Sequence, residues 1–208
     1  DPTPRPRPAH RGEPRFAPFP LAAATALAAV GLLRQGSLWV ARSFYNVYLD
    51  SELGTSTALI GAVAAVGQLG AAPASLLMPS LIRRWGKPVT VVAGALGIVG
   101  GLVLLASIRH WMGVAAGFVV LMASYAVSYA AVELLQQELV APEWRSVMSG
   151  VCLAASMIGS SIMVLSSGFL VARVGFSGIF LIAAGASCAS AMLFAACFVR
   201  PSAAQAAA

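Results

Sequence analysis

The stretch Leu76-Leu77-Met78-Pro79-Ser80-Leu81-Ile82-Arg83-Arg84-Trp85-Gly86-Lys87-Pro88-Val89 decides the fold of this chain. In it, an apolar run ends at a short basic turn, and a second apolar run begins directly after that turn. The turn is too polar to enter lipid and too short to form a domain. It therefore predicts two antiparallel membrane helices that are joined on the cytoplasmic side, where positive residues collect.

The composition of the whole chain also indicates a membrane protein. The 208 residues are 59% hydrophobic and 10% charged, with a mean hydropathy of +0.86, whereas soluble domains carry about 25% charged residues. The net charge is +6, but the arginines stand at the ends of apolar runs, so we expect no nucleic-acid-binding face. The three cysteines are scattered without a paired spacing, which argues against disulfides and against a metal site.

Six apolar segments make up most of the chain, and each has roughly the 20 residues needed to cross a bilayer. They span residues 21–49, 58–82, 89–108, 111–135, 147–171 and 178–199. Because the connections are short, residues 21–199 are expected to form one six-helix transmembrane bundle with antiparallel neighbours. Residues 1–20 are rich in Pro and Arg and are expected to be a disordered cytoplasmic tail or linker. Residues 200–208 are expected to be a cytoplasmic tail.

The Lys and Arg residues outside the apolar segments predict the orientation, because positive residues collect on the cytoplasmic side. With the N-terminus inside, nine of them fall on the inner side and two, Arg109 and Arg173, on the outer side. Both ends of the chain are therefore predicted to be cytoplasmic, in a multi-pass protein of the cytoplasmic membrane.

Polar residues on the first segment form a stripe. Gln35, Trp39, Arg42 and Asn46 are spaced i, i+4, i+7 and i+11, which places them within about 60° of one another on a helix. Arg34 lies to one side of this stripe. An unpaired charge at mid-bilayer costs at least about 2.5–3.5 kcal/mol, so both arginines should face protein or water. We therefore predict that Gln35, Arg42 and Asn46 line a cavity.

A second polar arc lies on the fourth segment and includes Tyr125, Tyr129, Glu133 and Gln136. Two interpretations of Glu133 remain open, an interfacial acid near the helix end and a cavity-lining carboxylate that carries a proton or pairs with an arginine. For the two tyrosines, substrate stacking and ordinary helix packing are equally compatible with the pattern. We include all four residues in the predicted cavity lining.

The chain lacks the residues that a membrane enzyme would need. Residues 175–178 match the Gly-x-Ser-Gly of intramembrane serine proteases, but that serine needs a histidine base on a later helix. The histidines are His10 in the lead-in and His110 in an outer loop. We therefore predict that the protein is not an enzyme and uses no cofactor.

The basic turn resembles the loop signature of the major facilitator superfamily, Gly-x-x-x-Asp-Arg-x-Gly-Arg/Lys. Arg84, Gly86 and Lys87 match this signature, while Pro79 stands in place of the first Gly and Arg83 in place of the Asp. Residues 48–61 are similar to the outer loop that follows the first helix of either half in that family. Residues 140–168 are similar to the inner loop and the glycine-rich fifth helix of a half.

The resemblance implies one half of a twelve-helix bundle, and the altered loop signature and the Pro/Arg-rich lead-in are more similar to the C-terminal half. We expect the chain to be a piece of a longer protein whose other half is on the same polypeptide or is a second copy. The implied function is alternating-access transport of a small solute, with proton-coupled efflux as a candidate mechanism. Glu133 is then the candidate for proton coupling, and Arg83, Arg84, Gly86 and Lys87 form a gating loop. The alternative is a non-transporting six-helix membrane subunit or receptor-like partner.

Overall fold

The computed structural model describes residues 19–199, and within that range the chain is all-helical, as predicted. Residues 1–18 and 200–208, which carry most of the predicted lead-in and the predicted C-terminal tail, lie outside the described residues. The five long helices of the described range are α1 (Leu21–Ser51), α2 (Thr57–Trp85), α3 (Lys87–Ser107), α4 (Trp111–Glu138) and α5 (Arg145–Phe194). By length and composition, each of them is able to cross a membrane. A short 3₁₀ turn (Pro142–Trp144) precedes α5, and a π-helical turn (Ala195–Val199) follows it.

The basic turn between the second and third apolar segments is tighter than its sequence suggests. Helix α2 continues to Trp85 and α3 begins at Lys87, so the turn consists of Gly86 alone. Gly86 has φ 78° and ψ 161°, a conformation that is essentially restricted to glycine. The basic residues on either side thus belong to the helix ends, because Arg and Lys are good helix formers and their charge does not end a helix.

Helix α5 contains the last two predicted segments and is interrupted at Gly175, where φ is 71° and ψ is 178°. Before the interruption, α5 runs parallel to α1, since Ser156 lies at Gly31 and Met163 at Gly36. After the interruption it runs antiparallel to α1. Phe180 packs against Tyr48 with ring centroids 5.8 Å apart, and the Ser190 hydroxyl donates to the carbonyl of Val30 at 3.0 Å. The chain therefore reverses its direction at Gly175.

Close backbone contact holds α1 against the first part of α5. A Cβ atom added to Gly159 would lie 2.3 Å from the carbonyl oxygen of Leu32 and 2.7 Å from its Cα. Contacts of this kind need small residues, and close packing drives helix association in lipid. Other glycines differ in this respect, because a glycine face on α3 packs against α4 at Gly94, Gly97 and Gly101. By contrast, Gly61, Gly150 and Gly168 on α2 and α5 meet nothing in the described structure within 4 Å of an added Cβ.

Two apolar cores fill the bundle, with a polar layer between them. One core includes Leu27 and Val30 of α1 and Ala131 of α4. The other begins further along α1, at Leu38, and ends earlier on α4, at Met122. The residues left between the two cores include buried polar groups from α1, α4 and α5, namely Arg34, Gln35, Ser37, Ser128, Ser160, Ser187 and Ser190. The candidate site lies in this layer.

Candidate functional site in the polar layer

Arg34 is the buried charge at the centre of the polar layer, with only 4% of its surface exposed. Its Nη1 donates to the Ser128 hydroxyl at 3.0 Å, and its Cζ lies 6.0 Å from the centroid of the Tyr129 ring. Within residues 19–199 its Nε–H has no hydrogen-bond partner. A guanidinium has five N–H donors, so most of the donor capacity of Arg34 is unused.

Helix α3 packs against Ser128, the residue of α4 that accepts the hydrogen bond from Arg34. Ser128 is fully buried, and a Cβ atom on Gly94 would lie 2.7 Å from the Ser128 Cβ. The close approach of α3 therefore leaves Ser128 little freedom to shift. Three helices thus hold the guanidinium in place, with α3 behind α4 and α4 beside α1.

A cavity of about 130 Å³ adjoins Arg34 between α1, α4 and the first part of α5. Its polar lining consists of Arg34, Gln35, Tyr125, Tyr129, Glu133, Gln136 and Ser156. Five of the seven predicted cavity residues are therefore brought together here, and Arg34 joins them. The structure gives Glu133 a half-buried position and leaves Tyr129 42% exposed.

Glu133 and Arg34 share this cavity without forming a contact ion pair. In the part of the chain that the structure describes, the ion pair is instead Lys87–Glu138. The arrangement keeps a positive and a negative group near each other while both retain capacity to bind something else.

Gln136 has a clear packing role in addition to lining the cavity. Its side chain is buried, and Nε2 donates to the carbonyl of Met148 at 3.4 Å. This hydrogen bond ties the end of α4 to the start of α5. Gln136 thus helps to hold the cavity wall in position.

Arg42 and Asn46 lie apart from this cavity. They share a helix face with Gln35, but Arg42 is two turns beyond Arg34, about 12 Å along α1. There the guanidinium of the half-buried Arg42 stacks on Trp39, 5.3 Å from its ring. Asn46 is exposed and borders a separate cavity with Asp50, Thr57 and Ile60. The structure therefore places Arg34, and not Arg42, beside Glu133.

The predicted gating loop contacts a residue that was not among the predicted site residues. Lys87 at the start of α3 pairs with Glu138 at the end of α4. Arg83 donates to the Ser80 hydroxyl of its own helix at 3.2 Å, and Arg84 is exposed. A signal for the Glu138 contact was present in the sequence, because an acid ends the fourth apolar segment on the same predicted side as the basic turn.

The missed residue of the site is Arg34. On a helical wheel Arg34 lies beside the polar stripe, and the prediction that the stripe faces the cavity leaves Arg34 out. Two signals were available, its position near the middle of the first segment and the high cost of leaving a charge there unpaired. Which angle of α1 meets α4 depends on packing, which the wheel does not contain.

Comparison with known proteins supports a membrane transporter fold. The family model of the Major Facilitator Superfamily matches residues 27–208. The chain superposes on a crystal structure of a mutant of the peptide transporter POT in complex with alafosfalin, with a TM-score of 0.75 and 16% identity over 84% of this chain. It also superposes on the in meso structure of the POT family transporter PepTSo, with a TM-score of 0.75 and 18% identity over 86% of this chain.

The chain covers only part of the length of each of these transporters. It spans 38% of the first transporter and 37% of the second. No curated protein sequence matches it significantly. The family match covers most of the chain, and the helical architecture agrees with it. The chain therefore belongs to the major facilitator superfamily of multi-pass membrane transporters.

Proposed function

We propose that the chain is the C-terminal six-helix half of a secondary transporter that moves a small solute across the cytoplasmic membrane by alternating access. In this proposal α5 crosses the membrane twice, on either side of Gly175, so that the bundle has six spans and both chain ends are cytoplasmic. The observation that carries the proposal is the polar cavity beside Arg34. Ionisable residues inside a membrane bundle are costly and mark solute or ion pathways.

The other half of the transporter would lie against surfaces that this chain leaves open. On α2, one face is lined with small residues and Gln68, and all of its members are exposed: Gly61, Ala65, Gln68, Ala72 and Ser75. The first part of α5 also exposes Gly150 and Gly168. The partner half is either on the same polypeptide or a second copy of this chain, and the short coverage of the two solved transporters favours a missing half.

Within this transporter, the predicted cavity residues would line different parts of the solute path. Gln35, Tyr125, Tyr129 and Gln136 would line the solute path near Arg34, and Arg42 and Asn46 would line it further along α1. Glu133 is the proton-coupling candidate, because it is a half-buried carboxylate next to a buried positive charge. The loop formed by Arg83, Arg84, Gly86 and Lys87 would hold the cytoplasmic ends of α2, α3 and α4 together through the Lys87–Glu138 pair.

Flux through the full-length protein tests the proposal. The protein is reconstituted in liposomes, and uptake of labelled solutes is measured with and without an imposed pH gradient. The panel includes di- and tripeptides, because the two structural neighbours are peptide transporters. We expect saturable flux, and Glu133→Gln should lose gradient-driven accumulation while retaining exchange of solute across the membrane.

The matched control is Glu143→Gln, which removes an exposed carboxylate from the turn before α5. It should transport like the unmodified protein. Absence of saturable flux for the whole panel, from protein that is folded and correctly inserted, would contradict the transporter proposal. That result would favour the alternative of a non-transporting membrane subunit or receptor-like partner.

A further inference from the structure

The hydrogen bonding of Arg34 is incomplete, because only one of its nitrogens has a partner among the described residues. Its Nη1 is occupied by Ser128, whereas Nε is buried and has no partner among the described residues. A guanidinium presents Nε–H and one Nη–H side by side as a parallel pair of donors, which matches the two oxygens of a carboxylate or phosphate. Ser128 therefore occupies one Nη of Arg34 and leaves the paired donors, Nε–H and the neighbouring Nη–H, without an acceptor among the described residues.

The charge of Arg34 is also not neutralised by direct contact. Glu133 is the carboxylate that shares the cavity, and it does not form an ion pair with Arg34 within residues 19–199. A buried charge without a contact partner is costly, and so is a buried donor left unsatisfied. The site is thus one in which an anion from outside the chain would supply the missing charge.

The size of the cavity limits what binds there. Its volume of about 130 Å³ corresponds to roughly four water molecules at about 30 Å³ each. Pockets that enclose a whole drug-sized ligand have roughly 300–1,000 Å³. The cavity therefore accommodates one head group, and the remainder of a solute would extend past Tyr129, which is 42% exposed.

We propose that the solute is an organic anion whose carboxylate or phosphoryl-type head group binds the guanidinium of Arg34. This inference rests on the transport function proposed above and names the substrate class of that cavity. Ser128 positions the guanidinium, and the Tyr129 ring lies beside the path of the solute. Glu133 stays close enough to weaken the hold on the anion and so permit its release.

Binding to the purified full-length protein tests the inference separately from flux. Four probes share one phenyl ring and differ in the head group: benzoate, phenylphosphonate, neutral benzamide and cationic benzylammonium. Calorimetric titration and ligand-dependent shifts of the melting temperature measure their binding. Benzoate or phenylphosphonate should bind at least about 10-fold more tightly than benzamide, since a hydrogen bond to a charged group contributes about 1.5–3 kcal/mol.

Variants at Arg34 identify the binding group. Arg34→Gln should weaken binding of the preferred anion by about 10- to 100-fold, and Arg34→Lys should retain part of the affinity because it keeps the charge but loses the paired donors. Arg173→Gln removes an exposed arginine and should leave binding unchanged. The comparison of benzoate with benzamide on the unmodified protein needs no variant, so it remains decisive if Arg34→Gln does not fold.

Three results would overturn the inference: equal or tighter binding of benzamide or benzylammonium, no binding of either anion to folded protein, or undiminished anion binding by folded Arg34→Gln. Saturable flux of neutral or cationic solutes together with any of these results would leave the transporter proposal intact. Anion binding at Arg34 without any flux would support the inference and contradict transport.

Discussion

The contact between Gly159 and α1 provides the sharpest test of the packing. In Gly159→Ala, the new Cβ atom would lie 2.3 Å from the Leu32 carbonyl oxygen and 2.7 Å from the Leu32 Cα, whereas ordinary contacts are 3.4–4 Å. Both obstacles are backbone atoms, so no change of rotamer relieves them. The helices must move apart by on the order of 1 Å, which a densely packed interior resists.

The expected cost follows from comparison with a glycine on the same helix that has open space. Overpacking costs about 1–3 kcal/mol, and replacing a helical glycine by alanine returns about 0.5–1 kcal/mol through backbone entropy. Gly185→Ala receives the same entropic gain without an obstacle, because nothing lies within 4 Å of its added Cβ. The two variants should therefore differ by about 1–3 kcal/mol, or about 5- to 150-fold in the unfolding equilibrium.

Unfolding of the detergent-solubilised full-length protein measures this difference. Gly159→Ala should unfold at lower temperature and lower denaturant concentration than Gly185→Ala. Adding Leu32→Ala should not rescue it, because the nearest obstacle is the backbone oxygen and not the side chain. If Gly159→Ala proves as stable as Gly185→Ala, or if Leu32→Ala restores its stability, the close approach of α1 and α5 is wrong.

Two further predictions concern stability and use the same unfolding assay. Tyr48 is fully buried, and its hydroxyl has no partner within residues 19–199. Tyr48→Phe should therefore leave stability unchanged or raise it, whereas Tyr48→Ala should cost about 3–5 kcal/mol. A marked loss of stability in Tyr48→Phe would reveal a hydrogen bond that the structure lacks. Gly175 has φ 71°, so Gly175→Ala should lower stability by about 1–3 kcal/mol. The control Gly185→Ala changes a helical glycine with open space around it and should not lower stability. Equal stability of these two variants would contradict the chain reversal at Gly175.

The all-helical fold was predictable from the sequence because transfer into lipid depends on composition and length. Apolar runs of membrane-spanning length must satisfy their own backbone hydrogen bonds, and helices do so. The basic turn and the all-helical fold followed from this pattern, and the family followed from the resemblance of the turn and of two further stretches to the signatures of known members. The helix ends differ from the ends of the predicted segments, because Arg83 and Arg84 belong to α2 and Lys87 belongs to α3.

The polar arc of α4 was also predictable, since its spacing puts Tyr125, Tyr129, Glu133 and Gln136 on one side of a helix. The choice between Arg34 and Arg42 was not. Helical periodicity fixes the angle between two residues of one helix, but it contains no information about which angle a neighbouring helix covers.

Tertiary packing decided the site by bringing α3 against α4 and α5 against α1. The glycine contact behind Ser128 sets the position of the hydroxyl that Arg34 reaches, and the reversal at Gly175 brings both parts of α5 against α1. These relations join residues that are far apart in the chain, such as Arg34 and Ser128. From the sequence alone one can infer that a charge in the membrane needs a partner, but the identity of that partner depends on distances between helices, which only the folded structure contains.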